Sequence, residues 1–452
     1  MAPPTLLAGF LLAAFACGAA AQVRLPGLPG AGGALDRLQP LTAPLGAALR
    51  DTAGPATEAL RDRVPLQALR GQTVRELLRR HGDRLETDPA GEPVVRAQLL
   101  LVAPRPDTLA AALAQGFAVQ RDEVQAGLDL RTVVLRTPRG LGAAEALQQL
   151  RRIDPEVEAD FNHLLLPSGG VAGAATSAPA AAAAAGATSA TGAAVASPPR
   201  VGLVDSGVDS RHPAFAASVN PAGTAGLQRW GCDGQPVPAE HGTAVASLLL
   251  GASAAGTQLF AADVYCGRPE GGNVDAVVQA LAWLAREQVG VINISLVGPP
   301  NRVLERTVQA LLRRGHAVVA AVGNDGPAAA PLYPAAYPGV VGVTAVNNQD
   351  AVLPEAARGG HVLLAAPGAA LPAARAGTRR HAEVRGTSFA APLVAALLAA
   401  QLPRPDPAAA GLALGARTSS ATDLGEPGRD ALFGHGLVGA RLRAELAVSA
   451  RR

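Results

Sequence analysis

Apolar positions change their spacing several times along the chain, and each change predicts an element. Residues 6–21 (LLAGFLLAAFACGAAA) form one apolar run of 16, shorter than the roughly 20 residues a membrane-spanning helix needs. Val74–Arg80 reads as helix inside a Leu/Arg-rich region broken by Pro and Gly. Pro93–Ala103 reads as a strand, Asp107–Gln115 as a short helix with Asp107 as candidate N-cap, and Leu130–Leu135 as a β-branched strand. Over Leu141–Ile153, the residues Ala143, Ala146, Leu147, Leu150 and Ile153 share one helix face. Val157–Leu166 returns to an extended pattern. This order is close to βαββαβ, a small α+β domain over 93–166. Residues 167–199 are almost wholly Ala, Gly, Ser, Thr and Pro and read as a linker, because such a segment cannot bury a distinctive core.

From Arg200 the texture becomes strand–helix alternation. Strands are expected at Val201–Val204, Leu259–Val264, Val289–Ile294, Ala317–Val322, Val340–Val346 and Val362–Ala365, and helices at Asn273–Glu287, Val303–Arg314 and Ser388–Leu402. Short apolar strands alternating with helices imply a doubly wound, mostly parallel α/β sheet covered on both faces. Sites in such sheets lie beyond the carboxyl ends of the strands.

Composition narrows the classes of function. The 452 residues carry 39 basic and 36 acidic side chains, a net charge of +3, which does not suggest a nucleic-acid binder. Lysine is absent, so every basic residue is Arg; Schiff-base lysine chemistry and a P-loop lysine are excluded. The run at 6–21 ends in Ala19-Ala20-Ala21 before Gln22, an A-x-A type cleavage signal, and reads as a secretory signal peptide despite an n-region without Arg. The product is expected to be secreted or periplasmic, with no stable membrane span. Cys17 lies in the leader, in a poor lipobox because residue 14 is Ala. Cys232 and Cys266 remain, an even pair in an oxidising compartment, either a disulfide or two buried thiols.

Four motifs sit at or near the ends of the expected strands. Asp205 follows the strand VGLV directly, before a Gly turn. His241-Gly242-Thr243 opens a helix, where a neutral imidazole suits a general base and Gly lets another backbone approach. Ser388, in GTSFAAP, falls at a helix N-terminus, where N–H groups and dipole favour negative charge. Asn324 follows the strand Ala317–Val322, and its amide can donate to an oxyanion. Each alone is equally well a turn, a cap or a surface side chain. Together they place an acid, a base and a hydroxyl in the chain order Asp, His, Ser. GTSFA does not fit the G-x-S-x-G nucleophile elbow.

With those residues in view, residues 200–440 resemble the subtilisin-like serine peptidases (subtilases, peptidase family S8). The matching stretches are VGLVDSGVDSRHPAF, HGTAVASLLLG, INISLVGP, AAVGNDGP, YPAAYPGVVGVTAVN, LLAAPG, GTSFAAPLVAALLAA and FGHGLVGA. The resemblance implies a triad of Asp205, His241 and Ser388, with Asn324 and the Ser388 N–H as the oxyanion hole. It implies polypeptide substrates bound as an added strand along Ser295, Leu296, Val297 and Gly298, with Ala321 and Gly323 as further substrate-binding residues. It further implies that 93–166 is an inhibitory propeptide whose tail, Glu156–His163, lies in the cleft, making the chain an autoinhibited precursor. The resulting division is leader 1–21, an N-terminal pro-region 22–92 whose structure the sequence leaves open, propeptide 93–166, linker 167–199 and catalytic domain 200–452.

The chain departs from the family pattern at two points. Val297 stands where the family usually has Gly and should crowd the cleft, favouring small or medium P1 side chains. No acidic calcium loop stands out and the segment before Asp205 is short, so no cofactor is expected and calcium lacks support. Residues 22–199 carry no net charge and 200–452 carry +3, so gross charge attraction should not drive propeptide docking. The same residues would also serve an esterase or amidase, or a peptide-binding protein without catalysis.

Overall fold

The computed structural model describes residues 66–168, 170–171, 198–218, 227–232 and 235–450. The expected leader, pro-region residues 22–65 and linker residues 172–197 lie outside the described residues.

Helix α1 (Leu66–Arg80) and strand β1 (Leu85–Thr87) come first. Then follow β2 (Pro93–Val102), α2 (Pro106–Ala114), β3 (Ala118–Gln125), β4 (Leu130–Arg136), α3 (Ala143–Ile153), β5 (Ala159–Pro167) and the short β6 (Gly170–Val171). Strand β2 lies between β4 and β5, antiparallel to both, and β1 adds to its start.

The unbroken apolar run in β2 has a physical cause. Leu99 and Leu101 point into this domain's own core with Phe117, Leu147 and Leu150. Leu100 and Val102 point the other way, into a core shared with Val277 and Leu281 of the larger domain. An antiparallel sheet with one wet face would alternate apolar and polar residues. This sheet does not, because its second face is covered by the helices Val274–Arg286 and Arg302–Arg313.

The larger domain runs β7 (Arg200–Asp205), β8 (Leu227–Trp230), α4 (Glu240–Gly251), β9 (Gln258–Asp263), β10 (Gly272–Asn273), α5 (Val274–Arg286), β11 (Val291–Ile294) and β12 (Leu296–Val297). It continues with α6 (Arg302–Arg313), β13 (Ala317–Ala321), β14 (Val341–Val346), β15 (Leu364–Pro367), β16 (Ala369–Ala374), β17 (His381–Arg385), α7 (Thr387–Ala399), α8 (Pro407–Ser419) and α9 (Leu442–Ser449). Seven parallel strands lie in the order β15-β14-β13-β11-β7-β9-β8. Helices α4 and α7 pack one face, and α5 and α6 the other. The fold is the doubly wound α/β class expected from the sequence. Asparagine side chains start both outer helices: Asn273 accepts from Ala276 N, and Asn301 from Val303 N and Leu304 N. The strand expected at Val362–Ala365 sits two residues later. The β16–β17 hairpin and α8 were not anticipated.

His316, between α6 and β13, is 2% exposed. Its Nδ1–H donates to the Val289 carbonyl at 2.7 Å, and burial pushes its pKa down to about 4. The unfolded chain therefore holds this proton more tightly, and stability is lost as pH falls from about 6.5 to 4, by about 3 kcal/mol. Thermal melts at pH 7.5 and 4.5 should show that loss, and His316→Asn should reduce it.

Candidate active site

Four elements converge at the carboxyl end of the sheet. Asp205 ends β7 and is fully buried. Its Oδ1 accepts from His241 Nδ1 at 2.8 Å and from Ser206 N at 2.7 Å. His241 is the second residue of α4. A Cβ on Gly242 would lie 2.0 Å from the Ser206 carbonyl oxygen. Only Gly lets α4 approach β7 closely enough for the pair to form. Gly242→Ala should therefore fold with α4 displaced and lose at least about 10²-fold in kcat, read from peptide hydrolysis beside a circular-dichroism melt.

Ser388 is the second residue of α7, after Gly386 at φ 137°. That φ suits only Gly comfortably. Ser388 Oγ donates to the Ser295 carbonyl at 3.0 Å. His241 Nε2 is buried without a hydrogen-bond partner, so it is free to accept a proton. Pro392 carries no N–H, which leaves the Ser388 carbonyl without its helical donor. Ser295 Oγ donates to that carbonyl instead, at 2.9 Å. The sequence GTSFAAP thus explains why a hydroxyl is needed at 295.

Asn324 follows β13. Its Oδ1 accepts from Thr387 N at 3.1 Å, and its Nδ2 donates to Ser168 Oγ at 3.1 Å. Gly323 N donates to Thr387 Oγ1 at 3.2 Å, which directs the Thr387 proton toward Ser168 Oγ, 3.0 Å away. Ala321 is buried at the end of β13.

The cleft is filled by the chain's own residues. Strand β5 pairs antiparallel with β10 on one side (Gly272 with Leu165, Asn273 with Leu164) and with β12 on the other (Leu296 with Pro167, Val297 with Leu166). Ser168 N donates to the Ser295 carbonyl at 3.4 Å, and the Ser168 carbonyl accepts from Ser388 N at 2.9 Å. Tyr265 Oη donates to the Leu165 carbonyl at 2.9 Å. Beyond, β6 pairs with β17, Gly170 with Arg385 and Val171 with Val384. The chain therefore runs through the site from one side to the other. The residues in the cleft are Leu164–Ser168, not Glu156–His163, because Ala159, Asp160, Phe161 and His163 are paired with β2.

Of the residues singled out in the sequence, Ser295, Leu296, Val297, Gly298, Asn324 and Ser388 contact Leu164–Ser168 directly, while Asp205 lies behind His241 and Gly323 behind Thr387. Val297 is 2% exposed, and Gly298 lies beside the Leu164 carbonyl. Ser168, Thr387 and Tyr265 were missed. Thr387 stood next to Ser388 in the motif; Ser168 is hidden in low-complexity sequence. Cys232 and Cys266 form a disulfide. It ties β8 to the loop carrying Tyr265, and Asp263 holds that loop by accepting from Tyr265 N and Cys266 N, both at 2.9 Å.

A carboxylate-held imidazole, a hydroxyl at a helix start and an amide beside it thus stand at the carboxyl end of the sheet. The chain belongs to the subtilase family, whose model matches residues 197–436. It is 32% identical over 169 residues to minor extracellular protease Epr of Bacillus subtilis, covering 37% of this chain and 26% of Epr. It is 32% identical over 256 residues to subtilisin Savinase of Lederbergia lenta, covering 53% of this chain and 88% of that one. Thus the match spans about a quarter of Epr's length. Among solved structures, fervidolysin from Fervidobacterium pennivorans, a keratinolytic enzyme related to subtilisin, shares the fold at a TM-score of 0.58. That match has 19% identity and covers 79% of this chain and 62% of that one.

Proposed function

We propose that the protein is a secreted serine endopeptidase made as an autoinhibited precursor that cuts its own Ser168–Gly169 bond. The observation that carries this reading is the Ser168 carbonyl on the Ser388 N–H at 2.9 Å, on a strand paired from both sides. A peptide held so presents its carbonyl to the nucleophile.

In the reaction, the Ser388 hydroxyl turns from the Ser295 carbonyl to His241 Nε2, gives up its proton and attacks the Ser168 carbonyl carbon. Asp205 holds the imidazole with Nε2 as the acceptor and stabilises the imidazolium. The oxyanion is met by Ser388 N–H, with Asn324 Nδ2 and the Thr387 hydroxyl moving onto it from Ser168 Oγ. His241 then protonates the leaving Gly169 amine. Water, activated by His241, releases the acyl group. The product strand stays between β10 and β12 and blocks the cleft until the pro-region departs.

Main-chain pairing along Ser295–Gly298 favours an extended polypeptide over a small ester. Val297 and the small Ser168 support small or medium P1 residues. Val297→Gly should raise the ratio of kcat/KM for P1 Phe over P1 Ala by about tenfold or more, measured on matched peptides. The reading as a whole is tested with a fluorophosphonate probe, which should label the matured protein on Ser388. Absence of labelling in protein that has lost its pro-region would sink it.

A further inference from the structure

Residues 66–92 reach both rims of the cleft. On one rim, Arg70 of α1 lies with Nε 3.5 Å from Asp325 Oδ2 and Nη2 2.8 Å from Glu92 Oε2. Asp325 is the neighbour of Asn324. Its side chain is 18% exposed and that of Arg70 14%, and burial raises the Asp325 pKa while Arg70 opposes the shift. On the other rim, Arg84 Nη1 lies 3.3 Å from Glu270 Oε1, two residues before β10. Glu270 is 8% exposed. Between the rims, Asp88 Oδ2 is 3.2 Å from His163 Nε2, and His163 Nδ1 is 3.0 Å from Asn301 Nδ2, the cap of α6.

These contacts are anchored rather than incidental. Strand β1 pairs with β2 at Leu85, Glu86 and Thr87. Glu86 Oε1 accepts from Ala97 N at 2.8 Å and Ala143 N at 3.1 Å. Residues 85–92 are thus fastened to the propeptide body, and Glu92 fastens Arg70 in turn.

We propose that residues 66–92 are a two-point ionic clamp that keeps the cut pro-region on the enzyme and sets the delay between self-cleavage and activity. A carboxylate beside Asn324 and another beside β10 are covered by arginines that lie outside the βαββαβ unit. Losing either arginine leaves a carboxylate covered without its partner, which weakens the bound state and not the free enzyme. The inference rests on the precursor reading above.

The test uses full-length chains that cleave themselves, following cleavage on gels and peptide hydrolysis over time. Arg70→Ala should cut at the wild-type rate and shorten the delay to activity at least tenfold. Arg84→Ala, on the more exposed pair, should shorten it about threefold. The swap Arg84→Glu with Glu270→Arg should restore most of the delay. Equal delays in all variants, with normal cutting, would overturn the clamp and leave the precursor reading intact; so would activity that appears with the cut in the wild type. A wild type that neither cuts nor hydrolyses peptide fails the precursor reading itself. Should Arg70→Ala not fold, Arg84→Ala and the swap decide.

Discussion

Ser388→Ala should lower kcat on peptide substrates by on the order of 10⁶-fold and leave KM within about twofold. The loss is chemical. The side chain makes one hydrogen bond, to the Ser295 carbonyl, and sits at the start of a helix whose other residues supply the packing. Under the proposed function a substrate takes the place of β5 between the edges of β10 and β12, which the substitution does not touch. The variant should also remain one chain, because it lacks the hydroxyl assigned here as the nucleophile. Steady-state kinetics on protein freed of its pro-region by a trace of a second protease provide the comparison. A fall of less than about 10²-fold would mean that another group is the nucleophile.

Asp205→Asn has the next largest expected effect, about 10⁴-fold in kcat. Asp205 is fully buried and accepts both the His241 Nδ1–H and the Ser206 N–H on one oxygen. An amide of the same shape keeps the packing. It also offers an N–H that can satisfy Nδ1 as an acceptor, which puts the ring proton on Nε2, where the Ser388 proton has to go. Asp205→Asn combined with Ser388→Ala should cost no more than Ser388→Ala alone, since the two act as one unit. Additive losses would separate Asp205 from the nucleophile's chemistry.

The parts of this site that were legible in the sequence are those with a local signature. Asp205, His241 and Asn324 announce themselves as polar residues next to apolar strands or a helix, and Ser388 by its Gly before and Pro after. The parts that were not legible depend on long-range pairing. In the β16–β17 hairpin, β16 is mostly Ala with a Pro, and the alternation His381-Ala382-Glu383-Val384-Arg385 in β17 is only five residues long; its burial comes from packing against the core that holds α4. Helix α8 buries only Ala413 among its residues, so its apolar stripe is faint. The tail in the cleft was expected five residues too early, because β5 divides its pairing: its first half belongs to β2, its second to β10 and β12. Individual ion pairs were equally hidden. Residues 22–199 carry no net charge and 200–452 carry +3, while the interface holds ion pairs of both polarities, Arg121 with Asp275, Glu158 with Arg306 and Asp129 with Arg314. A count of net charge cannot see pairs that cancel.

The most direct measurement is the N-terminal sequence of the large fragment from freshly expressed wild-type protein, run beside Ser388→Ala. Self-cleavage at the bond held against Ser388 predicts a fragment beginning at Gly169, with the variant uncut. A fragment that begins elsewhere, or the same fragment from both chains, would contradict it.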